Sequence, residues 1–238
     1  SSQILVKCDK RLIPLFERSF PADIIYLSKG QLVPEDEYDF HIPVGSLPLT
    51  FRKSLDSFEK SSLGFLKCDT AKVRNIKDQL THEQSKKLVG ISWTTKSALK
   101  NASNRNINLA DLARAFDSSN TQLVCLQYGD VSDEIEAVKR DFGIDVIQFG
   151  NVDNKNDIDG LASLMGACDM VVTIDNATAH LSGALGVPTK LMLPYIADWR
   201  WSIAEDSSYW YGALQLYRQS KVNDWHSVLA LITQVARA

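Results

Sequence analysis

The sequence predicts an α/β fold in which a parallel sheet is covered by helices on both faces. From residue 88 onward, short apolar runs at 88–93, 122–127, 144–148, Met170–Ile174 and Thr189–Leu193 read as buried strands. Helical stretches of ordinary length separate them, at 108–116, Ser132–Phe142, Ile158–Ala167 and in the small-residue run ending at Gly186, and that alternation is the signature of a doubly wound sheet. A polar loop follows each strand, at 93–96, 127–130, 151–157, 175–178 and 194–198, so these loops are expected to share the rim where ligands bind.

The remaining elements follow in order. Ile4–Cys8 reads as a strand, 11–20 as a helix with Pro14 tolerated in its first turn, and 23–27 as a second strand. A polar loop at 30–37 leads to a short strand at 39–43, and Ser46 is expected to cap a short helix ending at Phe51. Residues 54–69 read as irregular. A helix over 71–80 places Val73, Ile76, Lys77 and Leu80 on one face. The polar, charged stretch 81–87 suggests a division into units 1–86 and 87–238. An aromatic tract holds Tyr195, Trp199, Trp201, Tyr209, Trp210 and Tyr211. Trp225–Ala236 closes the chain as an amphipathic helix, with Asp224 as N-cap and Val228, Leu229, Ile232 and Val235 inward.

With 45% hydrophobic and 23% charged residues, the 238-residue chain has the composition of a globular protein. Its formal charge of −3 is spread without a basic stripe, which argues against nucleic acid, and no apolar run approaches a membrane span. Ser1-Ser2-Gln3 runs directly into Ile4 without the regions of a signal peptide, and four dispersed cysteines suit reduced thiols, so the expected location is cytoplasmic.

Residues 169–188 hold the densest chemistry. A buried strand feeds Asp175 and Asn176, and a helix of small residues follows until Gly186 and Pro188 stop it. A helix start at a strand's carboxyl end favours an anion such as phosphate, and His180, one turn in, adds a donor. An ordinary capped βα unit gives the same local pattern. Asp175, Asn176, Thr178 and His180 at one mouth favour the phosphate seat of a nucleotide-bearing ligand. Asp157-Ile158-Asp159 has the spacing of a metal-holding pair, but the helical pattern behind it makes Asp157 an N-cap, so no metal is expected.

Five segments carry a family resemblance: Gly90-Ile91-Ser92-Trp93, Leu126-Gln127-Tyr128-Gly129-Asp130, Asp157-Ile158-Asp159-Gly160-Leu161, Asp175-Asn176-Ala177-Thr178-Ala179-His180-Leu181, and Leu193-Pro194-Tyr195 through Trp201. They resemble the glycosyltransferase module of bacterial tetratricopeptide-repeat proteins, which is similar to the ADP-heptose:lipopolysaccharide heptosyltransferases of glycosyltransferase family 9 and, more distantly, to protein O-GlcNAc transferase. The N-terminal third joins through residues 11–16 and 39–48. The resemblance implies a GT-B-like fold with two Rossmann-like domains facing a cleft, and a metal-independent, cofactor-free transfer from a nucleotide-sugar donor to a protein or glycan acceptor. Carried over by position, Thr94, Thr95 and Lys96 approach the phosphates, Gln127 and Tyr128 flank the base or ribose, and Asn156-Asp157-Ile158 forms the base-side wall. Asp175, Asn176, Ala177 and His180 form the pyrophosphate end.

Two departures stand out. The heptosyltransferases carry Thr-Gly where this chain has Asn176-Ala177, and the family's first strand and Gly-rich acidic loop have no counterpart before Ile4. The N-terminal domain is therefore expected to be incomplete, its missing segment or a tetratricopeptide-repeat region belonging to the same longer polypeptide. For the chemistry, Lys96, Arg105, His180 and the helix start near Asn176 are candidates to stabilise the leaving diphosphate. Asp39 and His41 are the N-terminal candidates for a base. Tyr195 and Asp198 are expected in the cleft, and Trp201, Trp210 and Tyr211 in a seam between domains. A non-catalytic nucleotide-sugar-binding or protein-interaction module is the competing possibility. An NAD-type oxidoreductase is discounted for lack of a G-x-G-x-x-G turn.

Overall fold

The computed structural model describes residues 3–58, 64–81, 86–96, 102–202 and 205–236, the last two without their side chains. Strand β1 (Ile4–Cys8) leads through a 3₁₀ turn at Lys10–Leu12 into α1 (Ile13–Ser19), then β2 (Ile24–Ser28), and β1 and β2 pair in parallel. Asp9 caps the 3₁₀ turn by accepting from the Arg11 backbone N–H at 3.0 Å. After a long connection come α2 (Leu47–Phe51) and α3 (Thr70–Leu80). The strand expected at 39–43 does not form: Asp39, Phe40, His41, Ile42 and Pro43 are all exposed and carry no regular structure.

The second sheet contains β3 (Lys87–Ser92), β4 (Thr121–Cys125), β5 (Val146–Ile147), β6 (Met170–Ile174), β7 (Thr189–Leu193) and β8 (Leu214–Arg218). All pair in parallel, in the order β5-β4-β3-β6-β7-β8. The helices are α4 (Leu109–Ala113), α5 (Ser132–Phe142), α6 (Ile158–Ala167), α7 (Ala177–Leu185) and α8 (Trp225–Ala236). The expected α/β class is therefore correct. Strand β8, absent from the sequence reading, extends the sheet beyond β7.

Side-chain alternation along the strands divides the core. Val89 and Ile91 join Leu112, Ile135, Val138, Val228 and Ile232 on the face covered by α4, α5 and α8. Leu88 and Val171 join Ile76, Leu161, Leu164 and Met165 beneath α3 and α6 on the other. Helix α3 thus packs on the second sheet although it precedes residue 87 in the chain. Caps fix the helix ends. Asp157 accepts from Gly160 N–H at 2.8 Å, Asn176 from Thr178 N–H at 2.9 Å, and Asp224 from Ser227 N–H at 3.2 Å. Gly186, at φ 73°, ends α7 in the left-handed conformation that glycine adopts without strain.

The β1–α1–β2 unit docks through α1. Leu15 is fully buried with Leu66, Ala162 and Ala184. Asp159 of α6 binds Arg18 of α1 and, at 2.9 Å, Lys72 of α3. Beyond this seam Phe40, Val44, Leu49 and Phe51 stand exposed. Among the described residues no helix is long and apolar enough to cross a membrane.

Candidate functional site

Strand β3 sits centrally, with the chain running outward to β4 and β5 on one side and to β6, β7 and β8 on the other. The strand order reverses between β3 and β6, and the crevice above their carboxyl ends is the ligand position such sheets create. A buried polar network forms its floor. Gln127 Oε1 accepts from Ser92 Oγ, Trp93 N–H and Thr94 N–H, each at 3.0 Å. Asn176 Nδ2 donates to Ser92 Oγ at 2.9 Å, while Asn176 Oδ1 receives Thr178 N–H and Thr173 Oγ1. Gln127 and Asn176, both expected to touch ligand, tie β4, β3 and β6 together, and Gln127 also lines a cleft on this rim.

The part of the mouth facing β7 is filled. Trp201 is fully buried and donates from Nε1 to Asp175 Oδ1 at 2.8 Å. Its carbonyl is held by Arg218, at the end of β8, at 3.0 Å. The Trp201 ring stacks on His180 at 4.9 Å, and His180 Nδ1 meets the Tyr211 hydroxyl at 3.1 Å. Burial lowers the His180 pKa from its ordinary value and so favours the neutral imidazole. Sequence reasoning placed His180 beside an anion; in the structure its ring stacks on Trp201 and meets the Tyr211 ring edge-on at 5.8 Å. Asp175 is equally engaged: Arg105 donates to its carbonyl at 2.9 Å and lies 3.5 Å from its carboxylate.

The side facing β3 and β4 is more open. Ala177 is exposed, and Thr94, Thr95, Arg105 and Tyr128 are half-buried. Asn106 accepts from Thr95 N–H at 2.8 Å, and the Tyr128 hydroxyl accepts from Lys96 N–H at 2.8 Å, so two side chains hold the loop after β3. Lys96 is exposed, and its Nζ lies 3.1 Å from where a Cβ on Gly129 would stand. Gly129, at φ 83°, permits both the turn and this approach. Tyr195 is exposed on the far side, its backbone held by Gln219 at 3.1 Å.

Beside Gly129 opens a cleft of about 360 Å³, lined by Cys125, Gln127, Gln148, Phe149, Val152 and residues 153–156 among others. Its outer wall is built by short-range chemistry. Asp153 accepts from the backbones of Lys155 and Asn156 at 2.9 and 3.1 Å, and Asn154 Nδ2 donates to the Cys125 and Gln127 carbonyls at 3.1 and 3.2 Å. Arg11, from the first unit, donates to the Lys155 carbonyl at 2.7 Å. Asp157, expected in this wall, caps α6 and is not among the cleft-lining residues. The sequence marked 151–157 as a rim loop but gave no sign of Arg11. Asp39 and His41 do not line the cleft; His41 packs edge-on against Tyr38 at 5.8 Å.

No protein-family model matches the sequence. Protein FlbA of Caulobacter vibrioides is 28% identical over 251 residues, an alignment covering 96% of this chain and 40% of that protein. The chain therefore spans less than half the length of this curated relative. Among solved structures, E. coli ADP-heptose LPS heptosyltransferase II superposes with a TM-score of 0.49 at 13% identity, over 79% of this chain and 59% of that one. The glycosyl transferase family 9 structure from Veillonella parvula gives 0.46 at 13% identity, over 72% and 52%.

Proposed function

We propose that the chain is a glycosyltransferase module that binds a nucleotide-sugar donor along the rim from β5 to β6. The observation that carries this is the adjacency of a cation to a base-sized cleft: Lys96 crosses Gly129, which itself lines that cleft. The base occupies the cleft against Phe149 and Val152. The diphosphate extends past Lys96 toward Arg105 and the first turn of α7, where a cation, a guanidinium and a helix dipole favour negative charge. Stabilising the departing diphosphate in this way lowers the barrier to breaking the sugar's anomeric C–O bond. His180 supports this end of the site by stacking on Trp201.

The transfer half of the proposal, to a protein or glycan hydroxyl, rests on the sequence resemblance. Metal independence is supported by the occupation of the D-x-D carboxylates, with Asp157 capping α6 and Asp159 paired to Arg18 and Lys72. The competing reading is a binding module without transfer: among the described residues, the carboxylate that lines the cleft, Asp153, is committed to its own loop. Incubation with UDP-, ADP-, GDP- and CDP-sugars in the presence of EDTA separates the two. Donor hydrolysis or transfer above a heat-denatured control supports the glycosyltransferase; saturable binding without turnover supports the binding module.

A further inference from the structure

Arg11 and Lys155 are separated by 144 positions in the chain, yet they meet beside the cleft. The Arg11 guanidinium is oriented before it reaches the wall. Asp9 grips one edge of it with both carboxylate oxygens, at 3.0 Å on Nε and 2.8 Å on Nη2, and the same carboxylate takes the Arg11 backbone N–H. This arrangement holds the Asp9 carboxyl far below the usual carboxylate range. With the Nε/Nη2 edge held, Nη1 is left directed at the Lys155 carbonyl, 2.7 Å away. The wall it meets is otherwise attached to the second sheet by Asn154 and folded on itself by Asp153.

We propose that Arg11 is a positioning residue that fixes the base-side wall of the cleft from the first unit, so that docking of that unit and occupancy of the cleft are coupled. The part concerning nucleotide rests on the function proposed above; the mechanical part does not. Without the Arg11 bond, residues 153–156 keep their internal turn and the Asn154 anchor but lose the attachment on the side of the first unit. Lysine cannot replace it, because a single ammonium cannot be held at two points by Asp9 and still span to Lys155.

Hydrogen exchange on the ligand-free full chain tests the mechanical part. In Arg11→Ala and Arg11→Lys alike, the amides of Lys155, Asn156 and Asp157 are expected to exchange about tenfold faster, the equivalent of one lost charge-assisted hydrogen bond. Amides of β4 and β6 should be unchanged. Unaltered exchange at 155–157, wild-type behaviour of Arg11→Lys, or acceleration spread evenly over the chain overturns the proposal. Titration with UDP, ADP, GDP and CDP and their nucleosides tests the coupling: for whichever base binds the wild type, Kd should rise about tenfold for nucleotide and nucleoside equally. A loss confined to the diphosphate overturns the assignment to the base side. A wild type that binds none of these probes sinks the proposed function, while the exchange result still decides the latch.

Discussion

Replacing Asp159 by asparagine removes an anionic post on which the first unit is docked. The Asp159 side chain is 10% exposed, with Arg18 on one oxygen and Lys72 at 2.9 Å on the other. Unpairing a fully buried ion costs about 3–5 kcal/mol. That is too much here, because Arg18 and Lys72 are 29% and 51% exposed and regain water once released. Lys72 then contributes about 0.5–1 kcal/mol, as an exposed pair does. Arg18, more enclosed, contributes about 1.5–2 kcal/mol, in the range of a hydrogen bond to a charged group. The expected loss is about 2–3 kcal/mol, which for a chain of this length lowers Tm by roughly 4–12 °C. Urea and thermal unfolding of Asp159→Asn measure it, and an Arg18→Leu double-mutant cycle isolates the pair. A Tm within about 1 °C of wild type would refute the reasoning. It would mean that the apolar seam of Leu15, Leu66, Ala162 and Ala184 suffices for docking.

Three further outcomes are expected. His180 is held below its ordinary pKa by burial, so the unfolded chain binds its proton first as pH falls. The stability contributed by the neutral imidazole is present above about pH 6.5 and is lost below it, with a slope of up to about 1.4 kcal/mol per pH unit until the folded form also protonates. His180→Gln should flatten unfolding midpoints measured between pH 7.5 and 5, and an unchanged pH dependence contradicts the burial. Gly183→Ala puts a Cβ 2.6 Å from the Tyr211 ring and 2.7 Å from Leu214, an overpacking that should cost about 1–3 kcal/mol in urea denaturation. Trp201→Phe keeps an aromatic ring beside His180 but leaves Asp175 Oδ1 without its indole donor, and should lose about 1–3 kcal/mol. A neutral effect there would show that Arg105 alone satisfies the carboxylate.

The backbone plan was legible where one short segment determines its own structure. Asp157 ahead of an apolar helix, Gly186 after small residues and the strand Met170–Ile174 each declare themselves by local chemistry, and each stands where expected. Strand β8 was hidden by its neighbourhood. Leu214 and Leu216 alternate with exposed Gln215, but the run is short and stands directly behind the aromatic tract, so the sequence reading assigned it no element. The strand expected at 39–43 failed for the opposite reason: Phe40 and Ile42 are apolar, yet the described residues give them no sheet to join. At the site, residue identity revealed polarity but not direction. Gln127 and Asn176 turn inward to hold the floor, and Trp201 reaches back to cover His180. Arg11 was unreadable because its partner is fixed only by tertiary docking.

Isothermal titration of nucleoside diphosphates against their nucleosides, on the wild type and Lys96→Ala, bears most directly on the claim that a cation and a cleft together seat a donor. At least one diphosphate should bind the wild type about tenfold or more tightly than its nucleoside, and Lys96→Ala should erase most of that margin while leaving the nucleoside affinity unchanged. No binding by any diphosphate, or a margin that survives the loss of Lys96, would contradict it.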